Sequence, residues 1–241
     1  MRPPTPSHLT RLAGKTDRWF QRAKTALLSQ VPCHAGCAHC CIGVFPITRL
    51  DVRLLQEGLA QLPAEQQHGI AERAAQQVAA LETAYPQLKS SDSLNSWSDT
   101  DIDEVVSTFA NAPCPALDES GLCSVYAHRP LTCRSMGIPS RQNGTVYGAC
   151  DVQTFVPIVR LSASLETEEQ ELANQEAAEL AKLPEVAEGG EELFLPYGLL
   201  SSKPNAGGDT AAPSSEHGDH DAVLQDEGFA HASRPSRRAT I

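Results

Sequence analysis

The sequence predicts a small, mainly α-helical domain with one helix hairpin and Cys-rich irregular loops. Three observations carry this. Apolar residues recur at helical spacing over 15–29, 48–62, 70–85 and 166–183. All eight cysteines fall between residues 33 and 150, four of them in Cys33-His34-Ala35-Gly36-Cys37-Ala38-His39-Cys40-Cys41. Pro32, Gly36, Gly137, Pro139, Gly144 and Gly148 break regular structure around those cysteines.

The 241 residues carry 19 basic and 30 acidic side chains, a formal net charge of -11. That balance argues against nucleic acid or an anionic membrane surface as partner, because either would be repelled. Residues 166–192 hold ten Glu and one Lys. No apolar run approaches the roughly 20 residues of a membrane span, and Met1-Arg2-Pro3-Pro4-Thr5-Pro6 leads into no apolar signal region. The expectation is a cytoplasmic protein. Disulfides are disfavoured in a reducing cytosol, which puts metal binding ahead of disulfide stapling.

In chain order, residues 1–14 hold three prolines and are expected to be disordered. From Lys15 to Ser29, Trp19, Ala23 and Ala26 share a face with Arg18, Arg22 and Lys24 outside, a helix packed on the core. Thr48, with Asp51 three residues on, caps a helix bearing Leu55, Leu59 and Leu62. Pro63 separates it from a second, striped by Ile70, Ala74, Val78, Leu81 and Tyr85. The two form the expected antiparallel hairpin, whose first helix delivers the cysteine nest to one end. Residues 89–101 read as a loop with Trp97 as a packing plug, and a short helix follows through Ile102, Val105, Val106 and Phe109. Cys114 to Cys123 reads as two extended pieces across a turn at Asp118–Gly121. Residues 124–134 read as a helical turn stopped near Pro130, and 135–150 as irregular. Glu166 to Leu183 is a Glu-rich helix with a thin apolar edge of Leu172, Leu180 and Leu183, and Leu193 to Tyr197 tucks back onto the body. From Ser201 onward too few large apolar residues remain to offset ordering entropy. Residues 201–241, with His217, His220 and His231, are therefore expected to be a disordered tail, and the domain to span 15–200 around a motif region at 33–150.

Soft thiolates select zinc, copper(I) and iron–sulfur clusters. Cys37 and Cys40 have the two-residue gap that lets both sulfurs face one tetrahedral centre, and Cys33 lies within reach of them. Neighbouring side chains diverge, so Cys41 is expected to serve a second centre, to bind a different iron of a cluster, or to remain a spare nucleophile. Eight thiols make two four-sulfur sites, or one site and a few structural cysteines. His34 and His39 sit beside thiols, more as hydrogen-bonding neighbours than as ligands. Arg129 and Arg134 flank Cys133, either to offset thiolate charge or as ion pairs to the acidic surface. The chain has no ferredoxin-type cysteine run, His-Glu-x-x-His helix, Gly-rich phosphate loop or Gly-x-Ser-x-Gly elbow.

Cys33-x3-Cys37-x2-Cys40-Cys41, then Cys114-Pro115-x-Leu117 with Gly121-x-Cys123, then Tyr126-x2-Arg129-Pro130-x2-Cys133-Arg134, resembles the YkgJ-type cysteine-cluster family. Its members are described as carrying a zinc- or iron-chelating domain. The resemblance covers about residues 33–150 and, more loosely, Leu195-Pro196-Tyr197. It implies metal chelation through these cysteines, and some members are labelled iron–sulfur oxidoreductases. A related cluster occurs in bacterial flagellin lysine methylases, but no added catalytic segment here carries methylation over.

The expectation is therefore a metal-chelating protein holding Zn or an iron–sulfur cluster. Its ligands would be drawn from Cys33, Cys37, Cys40, Cys41, Cys114, Cys123, Cys133 and Cys150. Two alternatives stand beside it. One is an iron–sulfur oxidoreductase or cluster-dependent protein-modifying enzyme with Cys41 as its free thiol. The other is a zinc-stapled interaction module that uses the acidic helix as its partner surface.

Overall fold

A computed structural model of the protein describes residues 8–27, 36–138, 140–142, 145–147, 161–184, 186 and 190–200. In chain order its elements are α1 (His8–Ala26), β1 (Pro46–Thr48), α2 (Arg49–Leu59), α3 (Ala64–Ala84), α4 (Asp99–Thr108), α5 (Leu131–Ser135), β2 (Ser140–Gln142), β3 (Thr145–Tyr147), α6 (Ala163–Leu180), β4 (Glu192–Phe194) and α7 (Leu195–Leu199). The architecture is mainly α, as the periodicity predicts.

Helix α1 begins at His8, before the expected Lys15. The last N-terminal proline is Pro6, and Leu9, Leu12 and Ala13 extend the buried stripe that Trp19 and Ala23 continue. Residues 8–14, expected to be disordered, are thus helical. Residues 1–7 and the expected tail at 201–241 lie outside the described residues. Helix α6 packs along α1, where the Trp19 indole donates to the Leu165 carbonyl at 3.0 Å. Leu165, Leu172, Leu180 and Leu183 are its buried edge. Its Glu-rich face is solvated apart from Glu169, which is buried.

Thr48 and Asp51 form a full capping box at the start of α2, and Ser98 and Asp101 form another at α4. Helices α2 and α3 follow one another across 60–63, and the short α7 packs against both. β1 pairs antiparallel with β4, Pro46 opposite Phe194 and Thr48 opposite Glu192. The stretch expected to tuck back thus adds a strand and a helical turn to the body. Trp97 is buried, edge-on to Phe194 with ring centroids 6.2 Å apart.

The helical turn expected to stop near Pro130 is the 3-10 turn Tyr126–His128. A helix the sequence did not indicate, α5, starts directly after Pro130, since a residue without an N–H is tolerated where helical donors have no partner. One expectation between residues 135 and 150 is corrected. Residues 140–147, read as irregular from their Gly and Pro content, contain the β2–β3 hairpin with Gln142 opposite Thr145. Asn143-Gly144 between them is a hairpin-turn dipeptide.

The described core falls into three apolar clusters. One lies under α1, α5 and α6, and one around Val44, Leu81, Leu94 and Trp97. The third joins Phe45, Ile47, Leu55, Ala116, Val125, Leu195 and Leu199, with Cys114, Cys123 and Cys133 packed against it. The thiols therefore border a hydrophobic core.

Candidate metal centre

Three backbone segments carry the described cysteines. Cys37, Cys40 and Cys41 lie between Gly36 (φ +84°) and Gly43 (φ +108°), two left-handed residues that let the chain reverse tightly at each end. Within it, residues 39–41 form a 3-10 turn, with the Cys41 N–H donating to the Ala38 carbonyl at 2.9 Å. This segment then pairs with the second cysteine block. Gly43 N–H donates to Ala112 O and Cys114 N–H to Cys41 O, both at 2.7 Å.

In the second block Leu117 bridges Cys123 antiparallel. The Asp118 carboxylate closes the turn by accepting from the Ser120 and Leu122 N–H groups at 2.9 Å each. The turn at 118–121 is the one the sequence predicts, but the first expected extended piece is itself a turn, with Leu117 N–H donating to the Cys114 carbonyl at 3.0 Å. Cys133 comes from α5, whose entry is fixed by Asp51 of α2. The Asp51 carboxylate accepts from Leu131 N–H at 2.6 Å, and more distantly from Thr132 Oγ1 and Thr48 N–H, both at 3.4 Å.

Cys37, Cys40, Cys41, Cys114, Cys123 and Cys133 all line one cavity of about 300 Å³. All six carry free thiols. Phe45, Leu55, Leu195 and Leu199 supply apolar wall, and Leu122 and Tyr126, also in the wall, are the exposed large hydrophobics of the described residues. Lys24, Arg129 and Arg134 are the charged residues of the wall, and no Asp or Glu joins them. In a chain of net charge -11 that is a local inversion of sign.

The two arginines answer the choice left open above with both of its readings. Each pairs with Asp17 of α1, Arg129 at 2.7 Å and Arg134 more closely, and each also borders the thiols. Arg134 further donates to the Arg129 and Ala127 carbonyls at 3.0 and 2.6 Å. Arg129 lies over the Tyr126 ring, 4.0 Å from its centroid.

Burial sets the protonation of this wall. A hydrogen bond with Cys41 first, and desolvation second, hold the Cys40 thiol far above the ordinary range. Desolvation pushes Cys114 up to about 12 and raises Cys123 and Cys133 as well, and the Cys40 charge adds to each. Thiols so placed stay protonated at neutral pH until a cation among them reverses the balance.

Cys40 and Cys41, although adjacent, both line this cavity. Cys33, His34 and Cys150 lie outside the described residues, and His39 is exposed and away from the cavity wall. Among the described residues, no group of three or more His, Cys, Asp or Glu side chains is disposed as it stands to hold a metal ion. The donor chemistry suits a soft metal even so, six thiols sharing one basic-walled cavity. Asp51 and the apolar wall are what sequence reasoning missed. The Thr48–Asp51 spacing pointed to a cap, but nothing local pointed to Leu131.

Residues 32–151 match the CxxCxxCC family model, described as "Putative zinc- or iron-chelating domain". No curated protein matches the chain, and no solved structure matches it. Among the described residues no helix is long and apolar enough to cross a membrane.

Proposed function

We propose that this chain, which belongs through residues 32–151 to the CxxCxxCC family, chelates a polynuclear thiolate-bound metal centre, an iron–sulfur cluster, in the cavity between α1, α5 and the two cysteine loops. The observation that carries this is the convergence of six thiols on one cavity. A structural zinc ion takes four ligands, and six exceed that complement before Cys33 and Cys150 are counted. A cluster spreads its thiolates over several metal atoms and uses more of such a wall. Cys40, Cys114, Cys123 and Cys133, which bring three separate segments to the one cavity, are the first candidates to hold it. Cys37, Cys41, Cys33 and Cys150 complete the set from which the remaining ligands come. Arg129 and Arg134 offset the anionic charge that thiolate ligation brings. When bound, a cluster supplies one-electron redox chemistry or a Lewis-acidic iron.

Anaerobic purification followed by iron, zinc and acid-labile sulfide analysis tests the reading. Iron and sulfide together, lost in Cys40→Ser and Cys123→Ser, are the expected result. A colourless protein holding stoichiometric zinc would overturn the cluster. That outcome is the second reading, a zinc-stapled module. It is favoured by the loops 36–45 and 112–125, which have little regular structure and which one metal would join.

A further inference from the structure

The cavity joins two features that neither zinc nor an inorganic cluster requires together. Cys40 and Cys41 are adjacent cysteines of one 3-10 turn, and both line the cavity. The wall beyond them is apolar, formed by Phe45, Leu55, Leu195 and Leu199, and continues to an exposed rim of Leu122 and Tyr126. A volume of about 300 Å³ is far more than one ion needs and lies at the lower end of small-molecule pockets, about 300–1,000 Å³.

We propose that Cys40 and Cys41 chelate a trivalent organometalloid, the monoaryl-arsenic(III) class, with the aryl group seated against the apolar wall. The inference rests on the reading of this cavity as a soft-metal thiolate site. It adds a ligand class that the apolar wall selects. With phenylarsonous acid, two As–O bonds break and two As–S bonds form. Each departing hydroxide takes one thiol proton and leaves as water, so two waters form. Arsenic stays trivalent and no oxidant or reductant is needed.

Aryl selectivity follows from the wall. Burying a phenyl ring there should make phenylarsonous acid bind at least about tenfold tighter than methylarsonous acid, which has the same two exchangeable hydroxides and a much smaller apolar group.

The test titrates the full-length protein as purified with each arsenical. Native mass spectrometry reads the adduct, and the metal released into the filtrate is assayed alongside. One phenylarsenic per chain, the tenfold preference, and loss of the adduct in both Cys40→Ser and Cys41→Ser are expected. Cys41 is partly exposed, so its variant serves where Cys40→Ser does not fold. Leu122→Ser, at a rim residue 50% exposed, should narrow the preference by weakening phenylarsonous acid binding more than methylarsonous acid binding. Equal affinity for the two arsenicals, or stoichiometric adduct in either serine variant, overturns the proposal. Failure of the metal reading gives a different signature, with no metal in the purified protein and none released as the arsenical enters.

Discussion

Asp51 is fully buried, caps α2 through its box with Thr48, and accepts from the first N–H of α5. One carboxylate therefore ties α2 to the segment that carries Cys133. In Asp51→Ala the Thr48 hydroxyl still accepts from the residue-51 N–H, but the reciprocal Thr48 N–H bond is lost and the Leu131 N–H is left buried without an acceptor. An orphaned buried donor costs about 1–3 kcal/mol, so a loss of about that size is expected in denaturant unfolding. Asp51→Asn keeps an acceptor for Leu131 and should cost less. Desolvation raises the Asp51 pKa to about 6 from 3.8. The folded state thus binds this proton more tightly than the unfolded chain. Its contribution to stability is complete below the unfolded value and declines as pH rises through the folded one. Stability measured between about pH 4 and pH 6 should fall with pH in the wild type, and this component should be absent in Asp51→Asn. A wild-type profile that the Asn variant reproduces would sink the assignment.

At the scale of elements, Gly58 decides how closely α2 approaches the turn at 126–128. Gly→Ala inside a helix ordinarily stabilises by about 0.5–1 kcal/mol. Here an added Cβ would lie 2.6 Å from the His128 Cβ, an atom fixed to the backbone. Overpacking of that kind costs about 1–3 kcal/mol, so the steric effect wins and Gly58→Ala should lower Tm. An unchanged or raised Tm would mean that the turn yields freely. The elements legible in the sequence were those specified locally. Helices α2, α3, α4 and α6 announced themselves through apolar stripes and, at α2, through the cap of Thr48 with Asp51. The β1–β4 pair did not, because Pro46 meets Phe194 across most of the domain and neither segment alternates in polarity. The helical turn before Pro130 was legible, but helix α5 after it was not, because a proline reads equally as a stop or as the residue before a first turn.

For the whole molecule, the thiols of the site were legible from spacing alone, while its walls were not. Phe45, Leu55 and the pair Leu195 and Leu199 come from three distant stretches that only the tertiary fold assembles. Asp17, which pairs with both cavity arginines, sits on a helix whose sequence signals nothing but packing. This assembly makes metal loss a localised event. The cysteine segments at 36–45 and 112–125 hold to each other chiefly through the backbone bonds of Gly43 and Cys114, each 2.7 Å. By contrast α1 and α6 are joined by a continuous buried apolar seam and the Trp19–Leu165 bond. Ligand energy that binds only the folded state stabilises first the parts that contact it. Stripping metal with a chelator should therefore speed amide exchange at Cys41, Gly43 and Cys114, and through residues 117–124, by a larger factor than anywhere in α1 or α6. Cys123→Ser should reproduce the pattern without the chelator. Hydrogen exchange followed by mass spectrometry resolves the two regions. A uniform rise across the chain would mean that metal and fold form one cooperative unit. No rise at the cysteine loops would mean that the thiols hold nothing the fold needs, and the chelation reading would fall with it.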